Sequence, residues 1–158
     1  MDQHGNLKIA QGSPGKLEIN HSTFIHAQPE RVYDALTTSE GLDAWFTTGA
    51  VVNAHPGGEI QFRWVSWGPN QISSQDGGPV LEAIPPERFV FQWYPDLPEY
   101  ATTVEINLVP KDGGTIVSLR EFGFAQTASG IAALANCATG WGEALTLLKF
   151  YLKHGLRY

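Results

Sequence analysis

Apolar residues recur along this chain at two periods, and the change from one to the other divides it. From Ile131 to His154 the period is helical. Trp141, Leu145, Leu148 and Leu152 fall four, three and four residues apart, and Ala138 and Leu134 extend the stripe toward the N-terminus. Gly155 ends it just past a turn carrying Lys149, Lys153 and His154, a combination that closes a helix. Nearly everything earlier alternates at period two. Leu17–Ile25, Glu59–Trp67, Pro79–Ile84, Arg88–Tyr94, Thr102–Val109 and Thr115–Phe124 read as strands. Between them, 68–78 reads as a loop rich in Gly, Pro, Asn, Ser and Asp, and Pro85-Pro86-Glu87 and Pro95–Glu99 as turns. Asp112-Gly113-Gly114 has the chemistry of a tight hairpin turn. Two short helices are predicted after the first strand. One opens at Pro29 and presents Val32, Ala35 and Leu36; the other runs from Ser39, its expected cap, to Phe46 and presents Leu42, Trp45 and Phe46.

A single amphipathic helix is not stable alone in water, so its stripe must lie on the sheet that the strands make. Six or seven strands in meander order imply an antiparallel sheet. The expected fold is therefore α+β: a curved antiparallel sheet of six or seven strands around one long C-terminal helix, with two short helices after strand 1. It should occupy residues 17–158 as a single domain, preceded by a flexible polar lead at 1–16. Small residues dominate 131–138, so that end of the helix leaves room and is where a cavity is expected.

Composition narrows the functions open to such a container. With 158 residues and 42% apolar content the chain can bury a core without staples. A net charge of −6 without any Lys/Arg cluster excludes nucleic acid and a polybasic membrane patch. No apolar run approaches the length of about 18 residues that a membrane span needs, and 1–16 has no signal-peptide run, so a cytoplasmic protein is expected. Cys137, the lone cysteine, excludes an internal disulfide and reads as a small buried hydrophobe. Five Trp, eight Phe and five Tyr stand out, because aromatic rings are the commonest lining of small-molecule pockets.

Several pieces of the chain resemble a known family: Pro29-Glu30-Arg31-Val32-Tyr33-Asp34-Ala35-Leu36, Trp45-Phe46, Gly57-Gly58, Ile84-Pro85-Pro86-Glu87-Arg88-Phe89-Val90-Phe91-Gln92-Trp93, Gly114-Thr115 and Gly140-Trp141. Together they look like small proteins similar to the C-terminal domain of the activator of the heat-shock protein 90 ATPase. That family belongs to the START-like, or SRPBCC, helix-grip superfamily, with its polyketide cyclases, lipid-transfer domains and Bet v-like proteins. The resemblance spans roughly 17–154. It implies the helix-grip fold and a cavity that holds an apolar or amphipathic small molecule. It also implies two alternatives: an enzyme of cyclase or hydrolase type, or a cochaperone that touches the heat-shock chaperone by its surface. The eukaryotic activators carry a separate N-terminal domain besides this one, and about sixteen residues precede the first strand here.

The candidate cavity residues are Trp45, Phe46, Phe62, Trp64, Trp67, Phe91, Trp93, Glu121, Phe124, Trp141 and Leu145. Trp45, Trp67 and Phe124 are expected at the mouth and are preferred as ligand contacts over Phe91 and Trp93. Glu121 is the weak catalytic candidate. It follows Val117 and Leu119 at period two, on the face that should be apolar, where an unpaired carboxylate is costly. Either the strand bulges or ends there and releases it, or it points into the cavity with Arg63 or Arg120 as countercharge. Neither a cofactor nor a metal is expected, since His4, His21, His26, His55 and His154 show no ligand spacing. A homodimer is a further expectation for so aromatic a chain.

Overall fold

The structure, a computed structural model, describes residues 16–96 and 100–157. Residues 1–15 of the expected lead, His4 among them, and 97–99 of the expected Pro95–Glu99 turn lie outside the described residues. The strands are β1 (Glu18–Ile25), β2 (Val51–Val52), β3 (Glu59–Trp67), β4 (Ile72–Ile84), β5 (Arg88–Trp93), β6 (Thr102–Lys111) and β7 (Gly114–Phe122). They form one antiparallel seven-stranded sheet in the order β1-β7-β6-β5-β4-β3-β2. The chain meanders from β2 to β7, and β1 completes the far edge. Helices α1 (Pro29–Thr37) and α2 (Ser39–Asp43) carry it from one edge to the other, and α3 (Ala128–His154) packs across the inner face.

Local chemistry sets most of these boundaries. Pro29 opens α1. Thr38, not Ser39, caps α2: its hydroxyl accepts the Gly41 N–H at 2.9 Å. Ser39 instead accepts the Val52 N–H at 3.1 Å and holds the edge strand. Helix α2 stops at Asp43 rather than Phe46, because Asp43 Oδ1 accepts the N–H groups of Gly49 and Ala50 and turns the chain back. Asp112 and Gly113 both have positive φ, 47° and 76°, and Lys111 pairs with Gly114, as a two-residue hairpin turn demands. Helix α3 begins three residues before Ile131, where Thr127 accepts the Gly130 N–H at 3.0 Å, and closes on Gly155 at φ 68°.

Strand β4 corrects the predicted loop at 68–78. It is 13 residues long, and Ser74, Asp76, Gly77 and Gly78 all pair with β3. The Gly-rich composition reads as a loop, but these glycines serve close strand packing. A Cβ on Gly78 would lie 2.4 Å from the Gln92 carbonyl oxygen. Only Gly68–Gln71 is left as the turn.

The core follows the expected faces. Phe89, Phe91 and Trp93 of β5, Val104, Ile106 and Leu108 of β6, and Val117, Leu119 and Glu121 of β7 are buried. Against them lie Trp141, Leu145, Leu148 and Leu152. Toward the N-terminus of α3 the stripe runs through half-buried Cys137 and buried Ala133, the row four residues apart, and Ala138 is exposed. Leu134 is partly buried against the core.

Candidate functional site

Strand β3 contains the backbone feature on which the site depends. Trp64 pairs with Ser74 and Trp67 with Ile72, so three steps on β3 face two on β4. This is a β-bulge, and Ser66 inside it has φ 49°. Regular alternation would put Trp64 and Ser66 on one face and Trp67 on the other. The extra residue brings Trp67 round beside Trp64, and both rings meet Phe46 edge-on, at centroid distances of 5.3 and 5.8 Å. Phe46 itself stacks on Trp45 at 4.8 Å.

These rings form one wall of a cavity of about 410 Å³ between the sheet and α3. Ile72, Ser74 and Asp76 of β4 continue the wall, and Trp93 and Trp141 form its base. Asn136, Cys137, Gly140 and Glu143 of α3 stand opposite. The cavity thus lies along the middle of the helix, somewhat C-terminal to the expected 131–138. A volume of this size is in the range that holds small organic ligands.

Glu121 lies behind that base, fully buried at 0% exposure. Its position on β7 opposite Val104 keeps it on the inner face, as the alternation requires. Release to solvent, the first of its two expected fates, does not occur. The side chain is buried, outside the cavity lining, and no arginine accompanies it. Arg63 is exposed on the outer face of β3, and Arg120 pairs with Glu18 at 2.9 Å and Glu105 at 3.6 Å. Its partners are uncharged hydrogen-bond donors. The Trp93 indole and the Thr102 hydroxyl each donate to Glu121 Oε1 at 2.7 Å, and the Trp141 indole donates to Oε2 at 2.7 Å. Burial pushes the Glu121 carboxyl above its ordinary range, and these three donors oppose the shift. The result is a clamp: one carboxylate sets the orientation of the two tryptophans at the base of the cavity. Trp93 and Trp141 stand 5.3 Å apart, ring to ring.

The remaining sequence candidates divide by depth. Phe46, Trp64, Trp67, Trp93 and Trp141 line the cavity. Trp45, Phe62 and Phe91 pack beneath it around a much smaller void. Trp45 is tied down there by its indole N–H, which donates to the Ala35 carbonyl at 3.0 Å. Phe124 and Leu145 are buried in the core away from the cavity wall. Of the three rings expected at the mouth, Trp67 alone is there, while Trp93, a cavity candidate ranked below them, reaches the cavity. Sequence reasoning missed Ile72, Ser74 and Asp76, whose period-two spacing is visible once the stretch is read as strand. It also missed Asn136, Gly140 and Glu143, which fall on the face of α3 beside the Trp141 stripe. Cys137 borders the cavity, and burial pushes its thiol far up, so it has no thiolate character at neutral pH. Among the described residues no group of three or more His, Cys, Asp or Glu side chains converges, and no helix is long and apolar enough to cross a membrane.

A meandering antiparallel sheet wrapped on one long C-terminal helix, with a ligand-sized cavity between them, defines a helix-grip protein. The sequence profile of the family described as activator of Hsp90 ATPase homolog 1-like protein matches residues 26–153, and the chain belongs to that family. Two solved structures are similar at 28% identity. The solution structure of the Aha1 dimer from Colwellia psychrerythraea has a TM-score of 0.72 over 87% of this chain and 97% of its own. A protein from Rhodobacter sphaeroides has a TM-score of 0.73 over 92% of this chain and 97% of its own. CalU16 from Micromonospora echinospora, at 20% identity, shares the fold, with a TM-score of 0.67 over 87% of this chain and 77% of its own. No curated protein matches the chain.

Proposed function

We propose that residues 17–158 act as one small-molecule binding domain, taking an apolar or amphipathic ligand into the cavity bounded by Phe46, Trp64, Trp67, Trp93 and Trp141. The observation that carries this reading is the bulge at Ser66. It holds a backbone conformation unusual for a residue with a side chain, and its effect is to turn a third large ring toward an unfilled space. A protein selecting only for a packed core has no need of that arrangement. Binding is favoured over acid–base catalysis because both Glu121 oxygens are occupied as acceptors and sealed behind two indoles. The carboxylate orients the walls of the site and does not meet the ligand.

Native mass spectrometry of the purified chain tests the reading. A carried-over ligand is expected, and Gly140→Phe should remove it, since a side chain at Gly140 projects into open space on the cavity wall. Equal loading of both proteins would overturn the assignment. A second reading, surface contact with a heat-shock chaperone, is favoured by the description of the family. Stimulation of chaperone ATPase activity by the isolated chain supports it, and absence of stimulation removes it. The dimer described for the Colwellia protein supports self-association here as well, which sedimentation of the purified chain tests.

A further inference from the structure

The charge of the cavity wall narrows the ligand further. Two carboxylates line it, Asp76 from β4 and Glu143 from α3, and among the described residues no Lys, Arg or His does. The ion pairs among the described residues lie elsewhere: Arg88 with Glu82 and Glu105, and Arg120 with Glu18 and Glu105. Asp76 belongs to none of them. Its Oδ1 accepts the backbone N–H groups of Gly77 at 2.7 Å and Tyr94 at 3.0 Å, which fixes the carboxyl plane. Its Oδ2 accepts no hydrogen bond from any described residue. It remains accessible, because no buried side-chain oxygen or nitrogen among the described residues lacks a partner. Asp76 is thus a carboxylate half-sunk in an aromatic wall, held in place through one oxygen and open at the other.

The rings around it are suited to the same charge. Four indoles and one phenyl ring line the cavity. Indole is the strongest aromatic partner for a cation. Two of the four, Trp93 and Trp141, donate their N–H groups to the Glu121 carboxylate. A donor bonded to an anion is polarised by it, and the electron density of the ring rises. Glu121 therefore contributes negative potential behind the base without occupying the site. An anionic ligand would meet Asp76, Glu143 and two enriched rings, with no compensating cation among the described residues. A neutral apolar ligand would leave the open Asp76 oxygen desolvated and unpaired, which is costly.

Resting on the small-molecule reading above, we propose that the cavity binds an organic cation, an ammonium or quaternary ammonium head on an apolar body. The head lies against Asp76, and the body is enclosed by Trp64, Trp67 and the Gly140 face of α3. Burial raises the Asp76 carboxyl above its ordinary range in the unliganded chain, and an adjacent cation would favour its ionised form.

Three matched probes test this on the full chain at neutral pH: benzyltrimethylammonium, its uncharged isostere neopentylbenzene, and phenylacetate. The readout is the set of indole N–H resonances, assigned by single Trp→Phe variants, with affinities taken from their shifts. The cation is expected to move the Trp64 and Trp67 signals and to bind about tenfold or more tighter than its neutral isostere. Asp76→Asn keeps an oxygen for the Gly77 and Tyr94 N–H groups and should bring the two affinities within about twofold of each other. Glu143→Gln, on the exposed side of α3, is the second variant should Asp76→Asn not fold, and should lower the preference for the cation by about threefold. Neopentylbenzene binding as tightly as the cation, or phenylacetate binding tightest, overturns the cation assignment and leaves the binding reading standing. If none of the three moves the cavity indoles, both fall.

Discussion

Replacing Glu121 by Leu tests the clamp at the base of the cavity. The substitution keeps an apolar side chain of similar reach and removes the acceptor shared by Trp93, Trp141 and Thr102, all three of them buried. Each orphaned donor costs about 1–3 kcal/mol. Apolar burial of the new side chain returns about 1.5–3 kcal/mol. The Thr102 hydroxyl can rotate toward another acceptor, whereas the indole N–H groups are fixed in their ring planes. At mid-range values the two indoles cost about 4 kcal/mol and the return is about 2, so the net destabilisation is expected at about 2 kcal/mol, and for a chain of this size a fall in Tm of about 4–8 °C. Urea unfolding followed by far-UV circular dichroism measures the first, calorimetry the second. Glu121→Gln is the control. It retains a carbonyl oxygen where Trp93 and Thr102 donate and opposes an amide N–H to Trp141 alone, so it keeps two of the three hydrogen bonds and leaves one indole without an acceptor. No loss for Leu would refute the idea that the shared acceptor governs this position. Thr102→Val combined with Glu121→Leu should be less costly than the two single changes added together, because the partners share one bond.

Stability should also depend on pH with a particular sign. Glu121 and Asp76 are raised by burial in the folded chain, so between about pH 4 and their folded values the native state holds protons that the unfolded chain has released. Their contribution is complete in acid and declines as pH rises through that window; urea titrations at several pH values should show the decline shrinking in Glu121→Gln. Glu18 and Glu82 are lowered by their Arg120 and Arg88 partners, and act in the opposite direction only below the ordinary carboxylate range. Trp67→Ala should weaken ligand binding at little cost in stability, since Trp67 is only half-buried, whereas Trp45→Ala should cost about 3–5 kcal/mol. Thermal unfolding with and without ligand separates the two, and a large loss from Trp67→Ala would place that ring in the core. Gly140→Ala should stabilise α3 by up to about 1 kcal/mol, because its Cβ meets nothing within 4 Å, and calorimetry checks it. Destabilisation there would mean the helix needs the glycine for its backbone and not for the cavity.

The periodic elements were legible in the sequence. The stripe Trp141, Leu145, Leu148 and Leu152 is a property of one continuous segment, and so is the alternation that places Glu121 on the inner face. Both follow from backbone geometry that each segment carries with it. Helix closure at Gly155 and the Asp112-Gly113 hairpin are equally local. What the sequence left open depends on pairing between distant strands. The glycines of β4 belong to the sheet only because β3 lies alongside them, and composition alone marks them as a loop. Trp67 faces the cavity only because the β3–β4 register slips by one residue at Ser66. The partners of Glu121 stand 28, 20 and 19 residues away along the chain. Arg120, one of two candidate countercharges, is next in sequence to Glu121, yet side chains alternate across a strand and Arg120 faces outward. The chain thus determined by itself which residues lie inside. Tertiary structure decided which of those touch one another, and therefore where the cavity opens and what charge it presents.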